Sequence, residues 1–265
     1  MIEPAEVMLP QPSADAIEFE QPLNERMRTF LRLELLYRQA VFHAGDSTDF
    51  GARAAVGSLL EILTIVGRGD VRTDVLKELD RHAELLGQYR SARGVDAARL
   101  SGLMENLEAM RTELNTSGKQ FLAELRDNEF LNKIRQRGLP GGTCSFDLPH
   151  YGYWLHRPEQ ERSAQLAEWL SQIKPLCDAV TRVLWLTRES SEPIECVASG
   201  GLYQHSVVKS EQVSLIRVVL PSNADMFPEI SAGPHRFTVR FAQWRGATEY
   251  PRQVSEDVRF LLALC

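Results

Sequence analysis

From Asn24 to about Ser191 the apolar residues recur every three or four positions, and from Pro193 onward they recur every second position. The first period is that of amphipathic helices and the second that of strands with one buried face. Helices followed by strands predict an α+β chain, with an N-terminal antiparallel helical bundle and then a C-terminal antiparallel β-strand domain. The expected organisation is a disordered acidic tail over residues 1–15, a mainly helical domain over 16–192 and a β-strand domain over 193–265. A short strand at Ile17–Pro22 stands apart from the other strands in sequence and is a candidate to join their sheet.

The first helix begins at Asn24, a good N-cap, and meets no Gly or Pro before Gly45. Met27, Phe30, Leu31 and Leu35 give it an apolar stripe. Further helices are expected over Phe50–Val66 and Thr73–Tyr89 (N-cap Thr73), along Leu100, Leu103, Leu107 and Met110, and over Glu129–Arg137. Gly138–Pro158 reads as an ordered loop rich in Gly and Pro, carrying the aromatics Phe146, Tyr151, Tyr153 and Trp154. Pro175 divides the stretch after this loop into two helices, Glu159–Ile173 and Pro175–Glu189, because proline suits a first turn better than a helix interior. Strands are expected at Ile194–Ala198, Leu202–Val207, Val213–Leu220, Arg236–Trp244 and Asp257–Leu264.

Composition changes this picture in two ways. The net charge is −6, yet residues 1–20 hold five acids and no cation, so the remaining 245 residues total only −1. A nearly neutral body has room for a local basic patch but lacks the strongly basic face of a nucleic-acid binder. The four cysteines are scattered without a CxxC pair, which argues against a disulfide framework or zinc site and fits the cytoplasm. No basic leader is present at the start, and no apolar run approaches the ~20 residues of a membrane helix.

Candidate chemistry centres on arginine. Arg28 and Arg32 lie four apart on the first helix beside the apolar stripe. Glu25 offsets Arg28, whereas Arg32 has no acid at three or four positions either way. Arg135 and Arg137, and Arg236 and Arg240, form two more pairs; the last pair lies on the strand face opposite Phe237, Val239 and Phe241. Arginine makes forked hydrogen bonds to carboxylates and suits a partly acidic peptide. Enzymatic signals are thin: no GxGxxG, Walker loop, HExxH or GxSxG occurs, and Cys144 with His150 or His156 reads better as structure than as a nucleophile and base. No cofactor is implied.

Three stretches stand in order along the chain: FEQPLNERMRTFLRLE at Phe19–Glu34, GDVRTDVLKELDRH at Gly69–His82 and RQRGLPGGTCSFDLPHYGYWLHRP at Arg135–Pro158. Together they resemble the ZapD family of cytoplasmic Z-ring-associated proteins, and the resemblance runs from about Ile17 to the C-terminus. It implies a helical domain joined to a β-strand domain, a homodimer and no catalytic activity. It further implies binding of the C-terminal tail peptide of FtsZ through a positively charged pocket, with cross-linking of FtsZ filaments at the mid-cell division ring. No nucleic acid or membrane partner is implied. The residues carried over to tail binding are Arg28, Arg32, Arg135, Arg137, His156, Arg236 and Arg240. An alternative is a dimeric adaptor for some other acidic peptide. The acidic segment before Ile17 is longer than the family usually carries and reads as an aid to solubility.

Overall fold

Asn24 starts the first helix as its spacing predicts: its Oδ1 accepts from Met27 N–H at 2.8 Å, which satisfies one of the donors left over in a first turn. The computed structural model describes residues 15–92, 94–116, 122–137, 141–207, 213–233 and 236–265. The acidic tail expected at 1–15 therefore lies outside the described residues up to residue 14, as does the start of the loop expected at Gly138–Pro158. The fold is α+β. Helices make up the N-terminal part and antiparallel sheets the C-terminal part. The chain divides into two units, Met1–Arg28 with Leu184–Cys265, and Thr29–Val183.

The helical unit carries most of α1 (Glu25–Ala44), then α2 (Asp49–Arg68), α3 (Val71–Gln88), α4 (Ala97–Thr116), α5 (Ala123–Asp127), α6 (Glu129–Gln136), α7 (Pro149–Leu155) and most of α8 (Glu159–Glu189). The buried stripe of α1 is Met27, Phe30, Leu33, Leu36 and Ala40; Leu31 is only half-buried and Leu35 is exposed. The segment from Leu31 to Leu36 has leucines on several faces, so three- and four-residue spacing alone admits more than one stripe. Asp70, rather than Thr73, caps α3: it accepts from Thr73 N–H at 3.1 Å, and the Thr73 hydroxyl donates to it at 2.6 Å. By length and composition α2 is apolar enough to cross a membrane, contrary to the sequence expectation. Its apolar residues Ala52, Val56, Leu59, Ile62 and Leu63 are buried in protein instead.

Two further expectations are corrected. The segment read as a loop at Gly138–Pro158 contains α7, in which Pro149 occupies the first turn and Tyr151 and Leu155 are buried. Gly152 allows the close approach: a Cβ there would lie 2.9 Å from Ser145 Cβ. Pro175 does not divide α8, which runs unbroken from Glu159 to Glu189. Ile173, Leu176, Val180 and Val183 are all fully buried on one face. At ~1.5–3 kcal/mol for each such side chain, their burial outweighs the ~3 kcal/mol cost of an interior proline.

The helices α3 and α4 run antiparallel, since Arg72 Nε donates to Leu114 O at 2.7 Å while Asp80, farther along α3, pairs with Arg111 at 3.0 Å. Within α3, His82 is buried, and Arg81 Nη2 lies 3.1 Å from its Nε2. Burial first and the Arg81 charge second pull the His82 pKa down to about 4, against an opposing pull from Glu78. The unfolded chain therefore binds more protons between about pH 6.5 and 4. Stability falls as pH drops through that window, by on the order of 2–3 kcal/mol. Urea midpoints at pH 7 and pH 4.5 measure this. The loss is expected to shrink in His82→Gln, and an unchanged loss would assign it to other groups.

The other unit is built on two antiparallel sheets. β1 (Ala16–Pro22), β4 (Leu215–Pro221), β8 (Val258–Leu264) and β2 (Ile194–Ala198) form one, in that spatial order. β3 (Leu202–Ser206), β6 (Arg236–Gln243) and β5 (Met226–Ala232) form the other, with the two-residue β7 (Arg252–Gln253) also on β6. Their inner faces share a core in which Ile216, Val218 and Leu262 of the first sheet meet Phe237, Val239 and Phe241 of the second. Phe241 and Phe260 rings bridge the sheets at 5.0 Å. β5 was not expected from the sequence, because Pro228 sits within it. The strand is at a sheet edge, where a missing N–H is tolerated.

The acids of β1 are engaged by arginines of the same unit. Glu20 takes both forks of Arg188, at 2.7 and 2.8 Å, and Glu18 accepts from Arg217 at 2.8 Å.

Candidate functional site

Within the helical unit the residues of α2, α6 and the turn ahead of α7 leave an open cleft of about 400 Å³. Val56, Leu60 and Ile134 give it apolar walls, Gly57 keeps one side low, and Arg53 and Arg135 supply positive charge, with Glu61 also lining it. α2 buries Ala52, Ala55, Leu59, Ile62 and Leu63 and leaves Arg53 and Gly57 half-buried at the cleft.

Arg53 is held in place. Its Nη1 donates to Thr143 O at 3.1 Å and to Thr143 Oγ1 at 3.3 Å, and its guanidinium lies 5.2 Å from the centre of the Tyr151 ring. A cation over an aromatic face is stabilised by the ring quadrupole, and a guanidinium fixed in this way loses less freedom when it binds an anion. Burial pushes the Tyr151 hydroxyl up to about 12, against the opposing charge of Arg53, so the ring stays neutral across the physiological range. Arg135 is exposed on α6, with Nη2 donating to Asn132 Oδ1 at 2.7 Å. The cleft thus offers two positive forks above an apolar floor, an arrangement that accepts a carboxylate-bearing peptide with small apolar side chains.

Of the residues singled out from sequence, Arg135 alone lines this cleft. Arg32, Arg137 and His156 belong to the same unit without lining it. Arg32 is exposed on α1 and makes no ion pair among the described residues. Arg137 is the C-cap of α6, and His156 is that of α7, with Nδ1 2.7 Å from Gly152 O so that Nε2 remains for other partners. Arg28, Arg236 and Arg240 belong to the other unit. Arg28 pairs with Glu25 at 3.1 Å. Arg236 and Arg240 are both exposed on the face of β6 opposite Phe237, Val239 and Phe241, but Arg240 is already paired with Glu229 directly across on β5. It meets a new carboxylate only by releasing that partner.

Sequence reasoning missed Arg53. It stands alone on α2 without a paired arginine, and only the fold sets it against Tyr151, almost a hundred residues later. Phe30 is core, and Trp154 packs among Phe130, Tyr151 and Trp169; Phe146 is exposed. All four cysteines are free, and among the described residues no three of His, Cys, Asp and Glu gather as a metal site.

A model of the family described as ZapD, cell division protein, matches residues 31–240. The chain belongs to the ZapD family of cell division proteins. A ZapD of Methylococcus capsulatus is 39% identical over 250 residues, covering 94% of this chain and 98% of its own. One from Cupriavidus necator is 37% identical over 251 residues (94% and 99%), and one from Coxiella burnetii is 34% identical over 254 residues (95% and 98%). Each carries the name cell division protein ZapD. Membership in this family assigns the chain a role in cell division.

Proposed function

We propose that this ZapD-family protein is a non-enzymatic, cytoplasmic homodimer that binds the C-terminal tail of FtsZ and so cross-links FtsZ filaments at the mid-cell ring. The observation that carries the reading is the cleft in which Arg53 is stacked on Tyr151 beside Arg135. Tail carboxylates bind the two guanidinium forks and tail apolar side chains lie along Val56, Leu60 and Ile134. Arg32 and Arg137 add positive charge to the same unit; His156, and Arg28, Arg236 and Arg240 of the other unit, are further candidates for the tail, with Arg240 already held by Glu229. Each contact is weak, since the tail pays an ordering cost on binding; a twofold dimer with two sites supplies the avidity that bundling requires.

Fluorescence anisotropy of a labelled FtsZ tail peptide tests this. Wild-type protein is expected to bind, more weakly as salt rises. Arg53→Ala lowers affinity ~10–30-fold, the range of an arginine anchor, with circular dichroism unchanged. Arg28→Ala/Arg32→Ala has a smaller, salt-dependent effect. Absence of binding by the wild type would overturn the proposal, and full binding by Arg53→Ala would move the site out of the cleft.

A further inference from the structure

The cleft lined by Arg53 and Arg135 is not uniformly positive, because Glu61 lines it as well. The residues that α2 contributes are Arg53, Val56, Gly57, Leu60, Glu61 and Thr64, a recurrence of three and four that sets them along one stripe of the helix. At 1.5 Å of rise per residue, Arg53 and Glu61 stand ~12 Å apart along that stripe. Val56 and Leu60 provide the apolar wall between them.

Glu61 is exposed and makes no ion pair among the described residues. Gly57, Ser58, Thr64 and Ile65 occupy the positions three and four away on α2, so its own helix supplies no cation. The Thr64 hydroxyl donates to Leu60 O at 2.8 Å, and the two arginines of the cleft are turned to other groups, Arg53 to Thr143 and Arg135 to Asn132. A carboxylate left open in this way attracts a cation on the ligand. It also repels a second acid, so an acidic peptide is favoured at one end of the stripe and opposed at the other.

An extended peptide advances ~3.3 Å per residue and points its side chains i, i+2 and i+4 to one side. Positions i and i+4 are then ~13 Å apart, close to the separation of Arg53 from Glu61. Position i+2 falls midway, above Gly57, where an added Cβ would meet nothing within 4 Å and a ligand side chain has room beside Val56 and Leu60. We infer that the cleft selects a peptide that carries both signs, with an acid, an apolar residue and a base at alternate positions, and that Glu61 is the residue that binds the base and rejects a second acid. This rests on the peptide-binding role proposed for the cleft and names which peptides it takes.

Amide NMR titrations of the full chain with two peptides read the selection. One is Ala-Asp-Ala-Ile-Ala-Arg-Ala and the other Ala-Asp-Ala-Ile-Ala-Asp-Ala, so they differ only in the charge offered to Glu61. Wild-type protein is expected to bind the mixed-charge peptide ~10-fold more tightly than the doubly acidic one. Glu61→Gln is expected to bring the two within ~2-fold of each other, and Glu61→Lys to reverse the order, with circular dichroism unchanged. Equal affinities of wild type for the two peptides, both lost in Arg53→Ala, overturn the role of Glu61 and leave the cleft as a peptide site. No binding of the mixed-charge peptide also overturns this inference, while a labelled FtsZ tail peptide bound by wild type and lost in Arg53→Ala would still keep the cleft reading. Affinities for both peptides that Arg53→Ala leaves unchanged overturn both.

Discussion

Arg188→Ala is expected to destabilise the sheet-bearing unit by ~3–5 kcal/mol, the cost of leaving a largely buried charge without its partner. Arg188 and Glu20 keep only 14% and 19% of their side-chain surface exposed, and the Arg217 beside them keeps 12%. Both forks of Arg188 bind Glu20, and the Arg188 carbonyl in turn accepts from Arg217 Nη1 at 3.0 Å. Arg217 also bonds Glu18 and sits opposite Glu20 in the β1–β4 register. Removing one guanidinium therefore frees a carboxylate that water reaches poorly and disturbs the strand that carries it. Replacing both partners tests the mechanism. Arg188→Met with Glu20→Leu is expected to recover most of the loss, because no unpaired charge then remains. Urea unfolding followed by tryptophan fluorescence measures both variants. A single-variant loss under about 0.5 kcal/mol, the level of an exposed pair, would show that this network is in effect solvated.

The second large effect is at Gly201, in the tight turn joining β2 to β3. Its φ is +73°, and an added Cβ would lie 2.2 Å from the backbone oxygen of Val254. Its N–H donates to Ala198 O at 3.2 Å and its carbonyl accepts from Phe241 N–H at 2.8 Å, so the turn is fixed on both sides and cannot easily move away. Gly201→Ala adds a left-handed strain of ~1–2 kcal/mol to a backbone clash, and a total loss above ~3 kcal/mol is expected. Its neighbour provides the control. Gly200 has φ +57°, but a Cβ there would meet nothing closer than Ser255 O at 3.7 Å, an ordinary contact. Gly200→Ala is therefore expected to cost only the ~1–2 kcal/mol of strain. Equal losses at the two positions would assign the effect to backbone conformation alone.

These two sites mark where sequence reading stops. Alternation placed Glu18 and Glu20 on one face of β1, and that face is real. Only the pairing of β1 with β4 brings Arg217 opposite Glu20, and only the end of α8 brings Arg188, so the acidic face becomes a charge network. The same holds at the cleft. Arg135 was visible as half of an arginine pair, whereas Arg53 acquires its meaning from Thr143 and Tyr151, which the chain delivers from about ninety residues away.

By itself the sequence determined the two periods, hence helices first and strands after, the Asn24 cap, most strand positions and the family. Each of these rests on interactions within a few residues or on a pattern spread over the whole chain. Tertiary structure decided the rest: which of several leucine stripes α1 buries, that α8 runs through Pro175, that β5 survives Pro228 at a sheet edge, and which arginines stand free of acidic partners. Those outcomes are set by burial and by charges far apart in the chain, where a cost of ~3 kcal/mol at one residue is outweighed by several side chains leaving water together.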